Sequence, residues 1–209
     1  MKVTNSLSRV YNKTAQQAFR LTTKRRIRQL LASGDPIFLE LGAGPRKGKN
    51  GWVTSDLFIG PDLMIDLLKP LPFPDNTIDM VYASHVLEHF SIQQIENILM
   101  ECGRVLKLDG MISLCVPDAA IYIDAYQNPE SFNPAYYCRY KPAYKFYSKI
   151  DYINYVAYMD GQHFHLFDQE NLIAILCRSG FREVKGREFD PELDRRDRDH
   201  TSLYIQGLK

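Results

Sequence analysis

The chain has 209 residues, 45% of them hydrophobic, and a formal net charge of +1. That length suits one α/β domain spanning residues 1–209 with a full core, and the composition reads as a soluble globular protein rather than a disordered one. No run approaches the ~18 apolar residues of a membrane span, and the N-terminus lacks an apolar signal-peptide core, so a cytoplasmic location is expected. Cys102, Cys115, Cys138 and Cys177 are scattered with no CxxC pair, which reads as buried free thiols in a reducing compartment rather than disulfides or metal ligands.

The charge is unevenly placed. Residues 1–34 hold eight Lys or Arg and no acid, whereas the remainder holds 18 basic and 25 acidic residues. Within the basic segment, Leu7, Val10, Tyr11, Phe19, Ile27, Leu30 and Leu31 suggest one or two amphipathic helices, ended by Ser33-Gly34-Asp35-Pro36. Lys24, Arg25, Arg26 and Arg28 would lie mostly on the wet face. The segment is either a solvated helical cover beside the sheet or a contact for an anionic partner such as RNA or an acidic lipid surface. Its few aromatics count against single-stranded nucleic acid.

Ile37-Phe38-Leu39 is a short apolar run that stops at Glu40, and Gly42 and Gly44 follow. Trp52-Val53-Thr54 is a second β-prone run that stops at Asp56. In an open parallel sheet, ligands bind at the carboxyl ends of strands, and glycine lets backbone approach them closely. A carboxylate ending the second strand can accept hydrogen bonds from both hydroxyls of a ribose, so a nucleoside-type site is expected. The dinucleotide fingerprint fits poorly, because Lys47 stands at its sixth position and Asp56 comes too early. Ten residues separate Leu41 from Trp52 and are rich in glycine. A helical crossover usually needs a dozen or more, so the first one should be a single turn or absent.

Leu63 to Leu67 looks like a third short strand carrying Asp66, and proline-rich 70–76 excludes regular structure. Ile78 to Ala83 is the fourth strand, left by Ser84-His85-Val86-Leu87-Glu88-His89. Ser91 then caps a helix reaching about Lys107, with Ile92, Ile95, Ile98, Leu99, Cys102, Val105 and Leu106 on one face. Asp109-Gly110 turns into a fifth strand, Met111 to Val116.

The passage PLPFPDNTIDMVYASHVLEHF…RVLKLDGMISLCVPD, together with the acid-x-Gly-x-Gly loop at Glu40, resembles class I S-adenosylmethionine (SAM) methyltransferases of the type 11 group. It is most similar to a short bacterial-type subset opening with LGxGP…GW…D. The resemblance covers about residues 37–118 plus the end of the chain. It implies a Rossmann-like α/β fold with a mostly parallel central sheet and a C-terminal antiparallel pair. It also implies SAM as cofactor, with Glu40, Gly42 and Gly44 holding the methionine end and Asp56 the ribose. Asp66 and the Leu67 backbone would face the adenine, and Ser84 and His85 would sit near the methionine moiety and the methyl. The family's third glycine is missing near Arg46, in line with the shortened crossover.

Beyond the fifth strand the character changes. Ten of the 13 tyrosines fall between Tyr122 and Tyr158. Residues 119–162 read as a helical cap inserted over the strand ends, either lining an acceptor site for polar ring-shaped ligands such as sugars or packing on itself or a second copy. Asp168 caps a last helix, Gln169 to Arg178, and Phe181–Glu188 and Thr201–Leu208 are two final strands, joined by a charged loop, Asp190 to His200, expected to be exposed.

Methyl transfer to a hydroxyl or amine needs a base. His163 is expected to be that base because it ends the cap, with His85 the competing choice beside the methyl. No metal is expected: His85 and His89 lack the HExxH order, and His163 and His165 alone make an incomplete site. The expected activity is therefore SAM-dependent methylation of an oxygen or nitrogen on a small polar metabolite or sugar. An RNA or protein acceptor, or a non-catalytic SAM-binding interaction protein, are the alternatives; the sequence is silent on oligomeric state.

Overall fold

The computed structural model describes residues 4–209 apart from residue 59, with side chains from residue 19 onward. Leu7, Val10 and Tyr11 thus lie outside the residues whose side chains are described. One helix, α1 (Thr4–Ser33), precedes the sheet. Its inner face is narrow: Ile27 is buried and the Thr23 hydroxyl accepts from the Met64 amide at 2.9 Å, while Leu31 and the Lys24–Arg28 cations are exposed.

Seven strands follow in the order β3-β2-β1-β4-β5-β7-β6. They are β1 (Phe38–Leu41), β2 (Trp52–Asp56), β3 (Leu63–Met64), β4 (Ile78–Ser84), β5 (Leu106–Pro117), β6 (Arg182–Gly186) and β7 (Ser202–Leu208). The first five pair in parallel, and β7 runs antiparallel to both β5 and β6. The chain direction therefore reverses either side of β1, which draws the ends of β1 and β4 apart into a crevice. The central strands are buried on both faces, as a parallel sheet requires.

The first crossover holds no helix. Its loop is locked instead by Asp62, whose carboxylate accepts from the Gly48 amide at 2.9 Å and the Thr54 amide at 3.1 Å, while Lys47 donates to the Pro61 carbonyl at 2.8 Å. α2 (Ile92–Val105) opens with a capping box, Ser91 with Gln94, and buries Ile95, Ile98, Leu99, Cys102 and Val105. It ends two residues earlier than expected, because Leu106 is already extended and pairs with Ile78 in the sheet. The Asp109-Gly110 turn is accordingly a bulge within β5, with Asp109 at φ +61°. β3 is also shorter than expected, since Asp66 folds the chain into a turn by accepting from the Leu68 and Lys69 amides.

The cap contains α3 (Ala119–Gln127), α4 (Pro134–Tyr137) and α5 (Ile150–Tyr158). It has a small core of its own, Tyr122, Cys138, Tyr155 and Val156, against which Phe132, Tyr137 and Tyr144 pack. α6 (Gln169–Arg178) follows, capped by Asp168. Two expectations need correction. Cys177 is exposed, unlike the other three thiols. The loop after β6 is not simply exposed, because Asp194 is buried beneath a two-point ion pair from Arg187 and a hydrogen bond from the Tyr82 hydroxyl. Phe189 and Leu193 of that loop, like Trp52, pack on the cluster of Tyr82, Cys115 and Tyr204, so burial of apolar surface pulls a charged segment onto the sheet.

Candidate functional site

Two cavities lie at the carboxyl ends of the strands, and they meet. The first has a volume of about 370 Å³ and is lined by Gly42, Gly44, Ser55, Asp56, Leu57, Phe58, Ile65, Asp66, Leu67, Leu68, His85, Val86, His89 and Phe90. The second, of about 410 Å³, is lined by His85, Glu88, His89 and His163, by Tyr122, Tyr137, Tyr140 and Tyr155 of the cap, and by Arg139, Arg198 and His200 among others. Both are within the size range of small-molecule sites. His85 and His89 belong to both walls.

The first cavity is shaped by the turn after β1. Gly42 has φ +65°, and a Cβ there would stand 2.3 Å from a Val86 methyl, so no other residue fits. Asp56 ties this turn to the end of β2: its carboxylate accepts from the Gly44 amide at 2.8 Å and from its neighbour Leu57 at 2.6 Å. Each oxygen retains a lone pair for a ligand. Asp66 pairs with Lys69 at 3.0 Å on the far side of the cavity.

Of the residues that sequence reasoning put around a cofactor, Gly42, Gly44, Asp56, Asp66, Leu67 and His85 line this one cavity. Glu40 does not. It lies beside a neighbouring cavity, paired with Arg46 at 2.5 Å; burial pushes its carboxyl pKa up against the pull of that guanidinium. Ser84 is buried behind the wall, and among the described residues its hydroxyl has no partner.

His85 leaves β4 with φ +54°, a conformation seldom adopted by residues with a Cβ and concentrated at functional sites. Its amide donates to the Cys115 carbonyl at 2.9 Å, which holds the reversal. The Ser202 hydroxyl donates to the Arg198 carbonyl at 2.8 Å, so the 2.7 Å contact with His85 Nε2 is an imidazole N–H donating to the Ser202 oxygen. Burial, with Arg198 next, pushes the His85 pKa down to about 3. His163 reaches the junction from the end of the cap. Its Nδ1 donates to the Val156 carbonyl at 2.7 Å, and burial pushes its pKa down to about 4 despite that bond. Both rings are neutral near pH 7.

Sequence reasoning missed Glu88, Arg139 and Arg198, and weighed His89 only as a partner of His85. Glu88 had a local signal, an acid between two imidazoles just past β4; the arginines had none, since they come from the cap and from the loop before β7. His165 faces away, with Nε2 3.2 Å from the Asn171 side chain.

The methyltransferase-domain family model, type 11, matches residues 55–114. No curated protein matches the sequence. Among solved structures, a SAM-dependent methyltransferase from Archaeoglobus fulgidus is 19% identical with a TM-score of 0.53, over 95% of this chain and 100% of that one. One from Mesorhizobium loti is 17% identical with a TM-score of 0.51, over 88% and 96%. The 1,6-didemethyltoxoflavin-N1-methyltransferase of Burkholderia thailandensis, solved with 1,6-didemethyltoxoflavin and S-adenosylhomocysteine bound, is 14% identical with a TM-score of 0.51, over 100% and 91%. These likenesses are ones of fold. The family match over residues 55–114 and the shared fold support a SAM-dependent methyltransferase, an enzyme with S-adenosyl-L-methionine as methyl donor. The matched segment, from the end of β2 into β5, is of the type 11 kind.

Proposed function

We propose that the enzyme methylates an oxygen, or a nitrogen, of a small polar metabolite or sugar held beneath the tyrosine-rich cap. One observation carries this reading: the second cavity shares His85 and His89 with the first, and its other walls offer tyrosines, arginines and imidazoles. Aromatic faces and hydroxyls suit a polyhydroxylated ring, and guanidinium groups suit an acidic substituent on it.

In this reading SAM occupies the first cavity. Asp56 takes the ribose hydroxyls, Asp66 and the Leu67 backbone face the adenine, and the Gly42–Gly44 turn admits the methionine end. His85, which lines both cavities, would then stand beside the methionine end at the junction with the cap. The protein's main task is to align donor and acceptor in line. A hydroxyl acceptor must also lose its proton, and His163 is the residue on which we place that dependence.

SAM labelled in its methyl group, incubated with the enzyme and a panel of sugars, hydroxylated metabolites and total RNA, tests the acceptor class. Label is expected in the small-molecule fraction, and label confined to RNA or protein overturns it. For the donor, Asp56→Ala should weaken SAM by about 1.5–3 kcal/mol, read by calorimetry, through loss of charge-assisted bonds. Unchanged affinity in a folded variant would sink the ribose assignment.

A further inference from the structure

We propose that Glu88, His89 and His163 form a binding site for one divalent transition-metal cation, Zn²⁺ or a first-row relative, where the donor and acceptor cavities meet. One ligand atom from each of the three lies within 4.8 Å of the others. Bonds of about 2.0–2.2 Å to a shared ion would draw the three atoms closer together.

The imidazoles are already oriented as ligands. A carbonyl oxygen can only accept, so His163 Nδ1, 2.7 Å from the Val156 carbonyl, carries the proton and leaves Nε2 with its lone pair. His89 is held in the same way by the Gln162 carbonyl at 2.9 Å. A second ring nitrogen bonded to backbone is how metal-binding histidines are fixed in tautomer and direction. The two rings stand 5.2 Å apart, centroid to centroid.

Glu88 is the independent observation. It is 1% exposed, and among the described residues neither carboxylate oxygen has a hydrogen-bond partner. Buried polar groups are rarely left so, and each such exception calls for an explanation. His85 does not provide one: its Nδ1 is 3.6 Å from the nearer oxygen, too far for a hydrogen bond. A cation would satisfy the carboxylate. The ligands are also carried on one support, because the Phe164 and His165 amides both donate to the Glu88 carbonyl, at 2.8 and 3.3 Å.

Two imidazole nitrogens and one carboxylate oxygen favour a transition metal over Mg²⁺ or Ca²⁺. Three protein ligands leave positions open toward the acceptor cavity. An acceptor hydroxyl bound there loses its proton to water more readily. Its oxygen then forms the bond to the methyl carbon as the sulfur–carbon bond breaks; the bonding pair stays on sulfur, the sulfonium becomes a neutral thioether, and the metal keeps its oxidation state. This inference rests on the acceptor cavity proposed above and gives His163 a ligand's part in deprotonation.

The test uses the untagged full chain, stripped with a chelator, with Co²⁺ as an optical probe and Zn²⁺ by calorimetry. One ion per chain with visible Co²⁺ absorption is expected. Glu88→Gln, an isostere without a carboxylate to ligate, should fold and weaken binding at least about tenfold, as should His163→Ala. His165→Ala should bind as the parent does. A folded parent chain that takes up neither ion, or a Glu88→Gln variant that binds equally well, overturns the site. SAM titration of the same stripped sample keeps the two readings apart: ion uptake without SAM binding supports the site and sinks the donor assignment, and SAM binding without ion uptake does the reverse.

Discussion

The two cavities are built differently. The cavity proposed for the donor draws all its lining from one span of chain, residues 42–90, where successive strand ends converge. The cavity proposed for the acceptor is assembled from separate pieces: the turn after β4, the end of β5 with the cap that follows it, and the loop before β7. The first is walled largely by apolar side chains such as Leu57, Phe58, Ile65 and Phe90; the second is walled by cations, imidazoles and phenols. A sheet brings neighbouring strand ends together whatever the loops contain, so a shared donor can be held by short motifs. Selecting an acceptor requires chain that leaves the sheet and returns.

The strongest test of that division is His163→Ala. Its side chain lines only the acceptor cavity, so SAM affinity should be unchanged while turnover falls about 10²–10⁴-fold, the usual worth of a group that handles the acceptor's proton. Loss of SAM affinity in that variant would mean that the cavities are not separable. Gly42→Ala attacks the other side. A Cβ 2.3 Å from Val86 and the φ of +65° together should cost about 2–4 kcal/mol, seen as a lowered denaturation midpoint, with SAM binding weakened as well.

Smaller effects come from the supports. Burial raises the Asp62 pKa, but the Thr54 and Gly48 hydrogen bonds and the Lys47 charge outweigh it, and the net direction is downward. A carboxylate depressed by folding contributes stability above its ordinary pKa and loses it as pH falls through the folded value. Asp62→Asn should therefore cost about 1–2 kcal/mol at pH 7, and denaturation curves of parent and variant should converge below about pH 4. Least of all, replacing Arg25, Arg26 and Arg28 by Ser should change stability by no more than about 0.5 kcal/mol and leave SAM affinity alone. Any RNA binding by the parent should vanish by physiological salt; saturable binding that persists there would promote the nucleic-acid acceptor.

What could be read from the sequence follows the same division. The glycine turn, the acid ending β2 and the missing first crossover helix were legible because each is set by residues close in the chain. The cap announced itself through its tyrosines, yet the same rings both pack on one another and line a cavity, which composition does not separate. Glu40 looked like a ligand contact, but its pairing with Arg46 depends on the path of a loop that no helix constrains. Asp194 looked like a surface acid, since nothing local shows that Arg187 and Tyr82 would bury it. The isolation of Glu88 is likewise a property of what surrounds it in space.

The cap also leaves and re-enters the molecule at one point. Asp118 forms a parallel bridge with Phe167, and the Ala119 amide donates to the Phe167 carbonyl at 2.8 Å. Everything between is an excursion from a closed neck. Lengthening such an excursion adds only about 0.6 kcal/mol for each doubling, and its inner tyrosine core packs on itself rather than on the sheet. The neck thus works as a socket: a different excursion seated in it would bring a different set of side chains to the same methyl group, and a lineage could change what it methylates while its grip on the donor stays untouched.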